Sequence, residues 1–209
     1  MIDDFNGASA DPLPIPLAAG LTGTFVAERN SLRWQRASAL VAGQYAQRFG
    51  ASLNPDYPFF LGIDGAGNLP SAVIGARLAR ESPIFCESYL DQDLATLLAS
   101  KTGEAVTRDT IAELGNLAIG SRQRQRLIPL MRHVQQWTLG QDCSWIVFCL
   151  TRQLRTWFEH LGIEMIFLAP ARADRIGSAH DQWGSYYQHD PIVLAARVHQ
   201  TPGFERPAP

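Results

Sequence analysis

Ile111-Ala-Glu-Leu-Gly-Asn-Leu-Ala-Ile119, running on into Gly120-Ser-Arg-Gln-Arg-Gln-Arg126, is the stretch on which the fold turns. A short apolar run with a polar flank reads as a buried strand. Two insertions break the pattern. Glu113 is a carboxylate inside that run, so it must be paired, water-linked or set at a cleft. Burial raises a carboxyl pKa toward the range of a general base; the competing reading is a structural partner for an arginine such as Arg77. Gly115 and Asn116 weaken the strand interior and predict a bulge or splay. A splayed strand offers free N–H and C=O groups to an extended ligand, which adds as an extra strand; a plain edge irregularity is the alternative. Arg122, Arg124 and Arg126 then fall where strand gives way to helix. Helix-start amides and arginines suit a phosphate or pyrophosphate, although an alternating polar run also makes an ordinary solvated face. Without GxxxxGK it is no Walker loop.

Downstream, Leu127, Met131, Val134 and Leu139 predict a helix, with Pro129 tolerable only in its first turn. Ser144 to Leu150 reads as a buried strand. Leu154, Trp157, Phe158 and Leu161 keep helical spacing up to a Gly162 stop, and Glu164 to Ala169 reads as a strand. Upstream, a helix capped by Asn30 or Ser31 carries Ala37, Leu40, Val41, Tyr45 and Phe49 and ends at Gly50. Apolar runs at 58–63 and 69–78 flank the turn Asp64-Gly-Ala-Gly-Asn68 and predict a hairpin. A helix is expected within 88–100. Strands alternating with helices make an α/β domain with a mixed sheet. It is expected to span residues 21–198, between a proline-bearing flexible arm at 1–20 and a tail at 199–209.

Of the 209 residues 46 % are hydrophobic and 18 % charged, enough to bury a sizeable core, and the net charge of −2 gives no footprint for nucleic-acid binding. Cys86, Cys143 and Cys149 are odd in number and lack CxxC spacing, which argues against a disulfide framework and a cysteine zinc site. The N-terminus has no basic and apolar leader pattern, and no apolar run approaches the roughly 20 residues of a membrane span, so a soluble cytoplasmic protein is expected. Arg29 and Arg33, one helical turn apart beside Trp34, are placed to receive an anionic or polar substrate, or are plain surface arginines. Trp183-Gly-Ser-Tyr-Tyr187 offers Tyr186 and Tyr187 hydroxyls as proton donors, or rings that merely pack. There is no GxSxG, and the histidines show no metal-ligand spacing.

Ala27-Glu-Arg-Asn30, Tyr45-Ala-Gln-Arg-Phe-Gly50, Glu87-Ser-Tyr-Leu-Asp91, Ile111-Ala-Glu-Leu-Gly-Asn-Leu-Ala118 and Trp183-Gly-Ser-Tyr-Tyr187 together resemble the bacterial thermostable hemolysins over residues 21–194. A second similarity is to GNAT-fold acyltransferases, especially acyl-homoserine-lactone synthases. Gly75-Ala-Arg-Leu78 resembles their Gly-x-x-Arg-Leu strand, and Glu113-Leu-Gly-Asn116 resembles their Glu-x-Ser-Arg strand with Gly115 and Asn116 replacing Ser and Arg. The Gln/Arg-x-x-Gly-x-Gly/Ala donor loop of ordinary acetyltransferases is absent. The resemblance implies a GNAT-like, mostly antiparallel sheet with a splayed central strand and helices on both faces. It implies acyl transfer from acyl-CoA or an acyl carrier protein, as co-substrate, to the amine of a small molecule. No tightly bound cofactor and no metal are expected, in a monomer or homodimer free of nucleic acid and of integral membrane association. In that reading Glu113, Asn116 and Tyr186 or Tyr187 are catalytic. Leu117, Ala118 and Ile119 pair with the pantetheine arm, Arg122, Arg124 and Arg126 meet its phosphate, and Arg29, Arg33, Trp34 and Arg77 hold the acceptor. A membrane-active protein or a GNAT-shaped binding module without catalysis are the rivals.

Overall fold

Ser31 settles where the first helix begins. In the computed structural model, which describes residues 23–120 and 124–198 with the side chain of Arg124 excepted, its Oγ accepts the Trp34 N–H at 3.1 Å. Helix α1 (Leu32–Phe49) then runs to Gly50, whose φ of 63° closes it in the left-handed conformation that glycine adopts at least cost. Ala37, Val41, Tyr45 and Phe49 form its buried stripe. The expected arm at 1–20, the tail at 199–209 and Arg122 lie outside the described residues.

Seven strands follow the chain as β1 (Thr24–Glu28), β2 (Phe59–Asp64), β3 (Pro70–Leu78), β4 (Ile111–Ile119), β5 (Trp145–Leu150), β6 (Ile166–Pro170) and β7 (Ile192–Arg197). They form one sheet in the order β1-β2-β3-β4-β5-β7-β6. Only β4 and β5 run parallel; every other neighbouring pair is antiparallel. Between β3 and β4 a 3-10 turn (Phe85–Tyr89) precedes α2 (Leu94–Thr102), a later and shorter helix than the sequence suggested, capped by Asp93. Helix α3 (Leu127–Gly140) holds Pro129 in its first turn, where its missing N–H costs nothing. Helix α4 (Arg152–His160) stops before Gly162. Helices α1 and α2 cover one face of the sheet, α3 and α4 the other.

The decisive irregularity lies in β4. Val73 pairs with Ala118 and Gly75 with Gly115, so β4 carries one residue more than β3 across that interval. Asn116 absorbs it at φ 52°. The extra residue reverses the strand's phase: Leu114, Leu117 and Ile119 all pack toward α3 and α4, whereas Ala118 packs toward α1. At the same place β5 lets go. It pairs with β4 only from Ile111 to Leu114, while Cys149 and Leu150 pair only with β7. The central strands thus open into a V.

Candidate active site

The V holds a cavity of about 280 Å³. Leu117 and Ile119 of β4 with the following Gly120 line one wall, Thr151, Leu154 and Trp157 at the start of α4 another, and Tyr45 of α1 closes it with Tyr186. Across it the Arg48 guanidinium of α1 donates to the Gln153 side-chain oxygen of α4. The Thr151 Oγ1 is buried and has no hydrogen-bond partner among the described residues. Tyr45 and Tyr186 also bound a deeper and much smaller pocket, of about 30 Å³. Its rings are Tyr57, Phe85, Tyr89 and Trp183, and its floor is the β4 backbone at Gly115 and Asn116.

Glu113 sits behind this pocket. It is fully buried, and its two oxygens accept the backbone N–H groups of Cys86, at 2.6 Å, and Phe85, at 3.0 Å. The Arg77 guanidinium lies 3.9 Å away and makes its closer ion pair, 3.0 Å, with Asp56. Burial raises the Glu113 pKa above the usual carboxylate value, and the two N–H donors and Arg77 offset only part of that. Glu113 borders neither cavity. The expected base, acting directly or through water, thus has both oxygens engaged by the turn at Phe85 and Cys86, and this turn walls the deep pocket. The expected closeness of Arg77 holds, on neighbouring strands paired residue to residue.

Other candidates are redistributed. Tyr187 places its hydroxyl 2.6 Å from that of Tyr89, and Tyr186 donates toward Cys149 at 3.5 Å to the carbonyl and 3.6 Å to Sγ. Neither is an uncommitted proton donor, and Tyr187 borders neither cavity; burial pushes its pKa up to about 12. Arg33 pairs with Asp64 at 3.0 Å and stacks on Phe25, Arg29 lies over the Trp34 ring, and Trp34 Nε1–H donates to the Tyr57 carbonyl at 2.8 Å. None of the three lines either cavity, because each is spent on the outer strands or on the loop before β2. Leu117 and Ile119 line the large cavity, whereas the phase reversal turns the Ala118 side chain toward α1. Asn116 reaches the deep pocket. Arg126 stands half-buried at the start of α3.

Sequence reasoning missed Tyr45, Tyr57, Thr151 and the Arg48–Gln153 bridge. One signal for Tyr57 was present: Gly75 and Gly115 pair across β3 and β4, and a Cβ on either would fall within 3 Å of the Tyr57 ring or hydroxyl.

A mixed sheet splayed between two parallel central strands is a GNAT-like acyltransferase fold, and the similar solved structures are of that kind. The AHL synthase LasI matches at a TM-score of 0.58 and 17 % identity over 84 % of this chain and 89 % of its own. BjaI, a CoA-dependent acyl-homoserine lactone synthase, matches at 0.59 and 12 % over 85 % and 84 %. FeeM, an N-acyl amino acid synthase from uncultured soil microbes, matches at 0.55 and 15 % over 84 % and 90 %. The model of one family, thermostable hemolysin, matches residues 27–202. The chain belongs to that family. No curated protein matches the sequence.

Proposed function

We propose that this protein is an acyltransferase that moves an acyl group from a pantetheine thioester, carried by coenzyme A or a carrier protein, to the amine of a small molecule, within one catalytic unit spanning residues 21–198. The observation that carries the reading is the V between β4 and β5. From Gly115 to Ile119 the β5-facing side of β4 has no strand partner among the described residues. That bulged span of roughly 15 Å is comparable to an extended pantetheine arm, which would add to β4 as a missing strand. Leu117 and Ile119 line its path, and the start of α3 with Arg126 awaits the phosphate at the open end. The thioester then arrives at the apex, beside Gly115, Asn116 and the deep pocket. Thioester aminolysis needs alignment and an outlet for one proton more than it needs strong catalysts. Among the similar structures, one is described as CoA-dependent and another as an N-acyl amino acid synthase; both descriptions fit this chemistry.

The test mixes purified protein with acyl-CoAs of graded chain length and acylated carrier protein, follows capture by intact mass spectrometry, and then adds a panel of small primary amines and amino acids. Amide formation with release of free thiol supports the reading. Donor capture without transfer to any amine would make the protein a binding module. Failure to capture any donor overturns the reading. The family name points to lysis, yet no helix among the described residues is long and apolar enough to cross a membrane. Liposome leakage caused by the protein with no acyl donor present would favour that rival.

A further inference from the structure

All five tyrosines of the chain gather around the apex of the V, and they are not equivalent. The Tyr89 and Tyr187 hydroxyls face each other, and that of Tyr186 is turned on Cys149. Tyr45 closes the far wall from α1, where the two cavities meet. Tyr57 lies flat against the sheet at β3 and β4. Its ring crosses the paired glycines of β3 and β4: a Cβ on Gly75 would fall 2.5 Å from Tyr57 Cγ, and one on Gly115 would fall 2.1 Å from Tyr57 Oη.

Every other part of this residue is fixed. Trp34 holds its carbonyl, the Arg77 guanidinium lies 5.0 Å from its ring centroid, and Asp56 holds Arg77. The residue is buried and borders the deep pocket, yet its hydroxyl finds no hydrogen-bond partner among the described residues. A preorganised side chain that ends in an unpartnered hydroxyl, at the residue where β4 parts from β5, is built to meet a ligand there.

Resting on the acyl-transfer reading, we propose that Tyr57 is a catalytic residue whose hydroxyl gives its proton to the departing pantetheine sulfur. The amine nitrogen adds to the thioester carbon and forms the C–N bond. The C–S bond breaks, and its electron pair stays on sulfur. Sulfur takes the Tyr57 proton to leave as a thiol, and the phenolate takes back the proton that nitrogen sheds in becoming an amide. Burial first, and the neighbouring Glu113 charge second, raise the Tyr57 pKa well above its ordinary value, so the hydroxyl enters each turnover protonated. Of the four residues that the resemblance places with the acceptor, Trp34 and Arg77 touch Tyr57, act through it and are positioning residues.

The full chain labelled with 3-fluorotyrosine gives one ¹⁹F resonance for each tyrosine, and the Tyr57→Phe variant assigns that of Tyr57 by its loss. The probes are acyl-CoA ketone analogues of two to twelve carbons, in which a methylene between sulfur and carbonyl blocks transfer. A bound analogue is expected to shift the Tyr57 resonance while those of Tyr89 and Tyr187 stay. Tyr57→Phe, which keeps the ring and its slot, should lower kcat for amide formation about 10²-fold, with donor KM within about threefold and an unchanged melting temperature. An analogue that shifts Tyr45 or Tyr186 and leaves Tyr57 unmoved overturns the assignment and spares the donor cleft. So does wild-type kcat for Tyr57→Phe. Analogues that shift no tyrosine resonance take down the donor reading together with it.

Discussion

The two halves of β4 carry opposite kinds of residue. From Ile111 to Leu114 the strand is paired on both sides, and Glu113, the residue that looks most catalytic in the sequence, has every strong contact filled. From Gly115 to Ile119 it is bulged, has no β5 partner among the described residues and looks chemically bland, yet both cavities open onto it. Unfilled hydrogen-bonding capacity gathers at the second half, in the strand's own amides and in the hydroxyls of Tyr57 and Thr151. A buried charge is most easily tolerated when its surroundings saturate it, and saturation removes it from contact with substrate. The first half is a clamp and the second is the bench.

Glu113→Gln tests that division hardest. An amide keeps one acceptor oxygen but turns a donor toward the second backbone N–H, so one charge-assisted bond becomes a clash of donors. A loss of about 3 kcal/mol is expected, seen as a fall of about 6–12 °C in melting temperature. Unchanged stability together with abolished transfer would return Glu113 to the role of base and erase the comparison. The pH dependence carries a sign as well. Burial raises the Glu113 pKa in the fold, so between its ordinary value and the raised one the folded chain binds more protons than the unfolded. The advantage of wild type over Glu113→Gln should be full at acid pH, shrink as pH rises through the folded-state pKa, and flatten above it. Asp93 and Asp190, whose pKa values are lowered by hydrogen bonds, slope the other way, but they do so in both proteins and drop out of the difference. A difference in chemical-denaturation stability that grows with pH would show the N–H donors outweighing burial.

Between the halves stands the Tyr57 ring, and its two glycines should respond unequally. At Gly75 an added methyl meets Tyr57 Cγ at 2.5 Å and Cβ at 3.0 Å, the root of the side chain, which moves only with its backbone. At Gly115 it meets the hydroxyl end, which swings on the whole ring. Overpacking of this kind costs about 1–3 kcal/mol, with Gly75→Ala expected at the upper end and Gly115→Ala at the lower. Transfer should suffer in the reverse proportion to stability at Gly115, because the hydroxyl is what moves. Urea unfolding and kcat measured on both variants decide it. Equal losses of stability would mean that the ring is not pinned at its root.

Much of this was legible in the sequence wherever the cause is local. Ser31, Gly50 and Gly162 punctuate helices through their own backbone preferences, and Asn116 marks the bulge because asparagine tolerates a positive φ. Strands β1 and β7 were missed. The first is a five-residue edge with two buried side chains, and the second follows a long irregular segment interrupted by Gly177 and Gly184, so neither carries enough periodicity to stand out. The site was harder still. Glu113 and Arg77 could be paired from strand alternation, but that two oxygens would be filled by the backbone of Phe85 and Cys86 depends on a turn no motif announces. Gly115 reads in sequence as a weak point in the strand that favours a bulge or splay; the positive φ falls on Asn116 instead, and the missing side chain of Gly115 makes room for Tyr57.

Thr151 offers the finest test of the contrast, because it looks in sequence like a routine N-cap. Its backbone has the extended geometry of one, φ −66° and ψ 161°, yet its side chain makes no capping bond to α4. The residue is 2 % exposed, and Oγ1 is unpartnered on the wall of the large cavity. Leaving a buried hydroxyl unsatisfied costs about 1–3 kcal/mol. Thr151→Val has nearly the same shape, loses no cap because none is made, and removes the unsatisfied group. A gain near 1 kcal/mol, at the low end of that cost, is expected in chemical denaturation. If the hydroxyl meets the pantetheine arm, the same change should raise donor KM several-fold with kcat little altered, since uniform binding is lost and the reacting atoms are untouched. A variant that is more stable and binds its donor less tightly would show that this wall is kept unsatisfied for a ligand. Lower stability with unchanged KM would place Thr151 with the clamp.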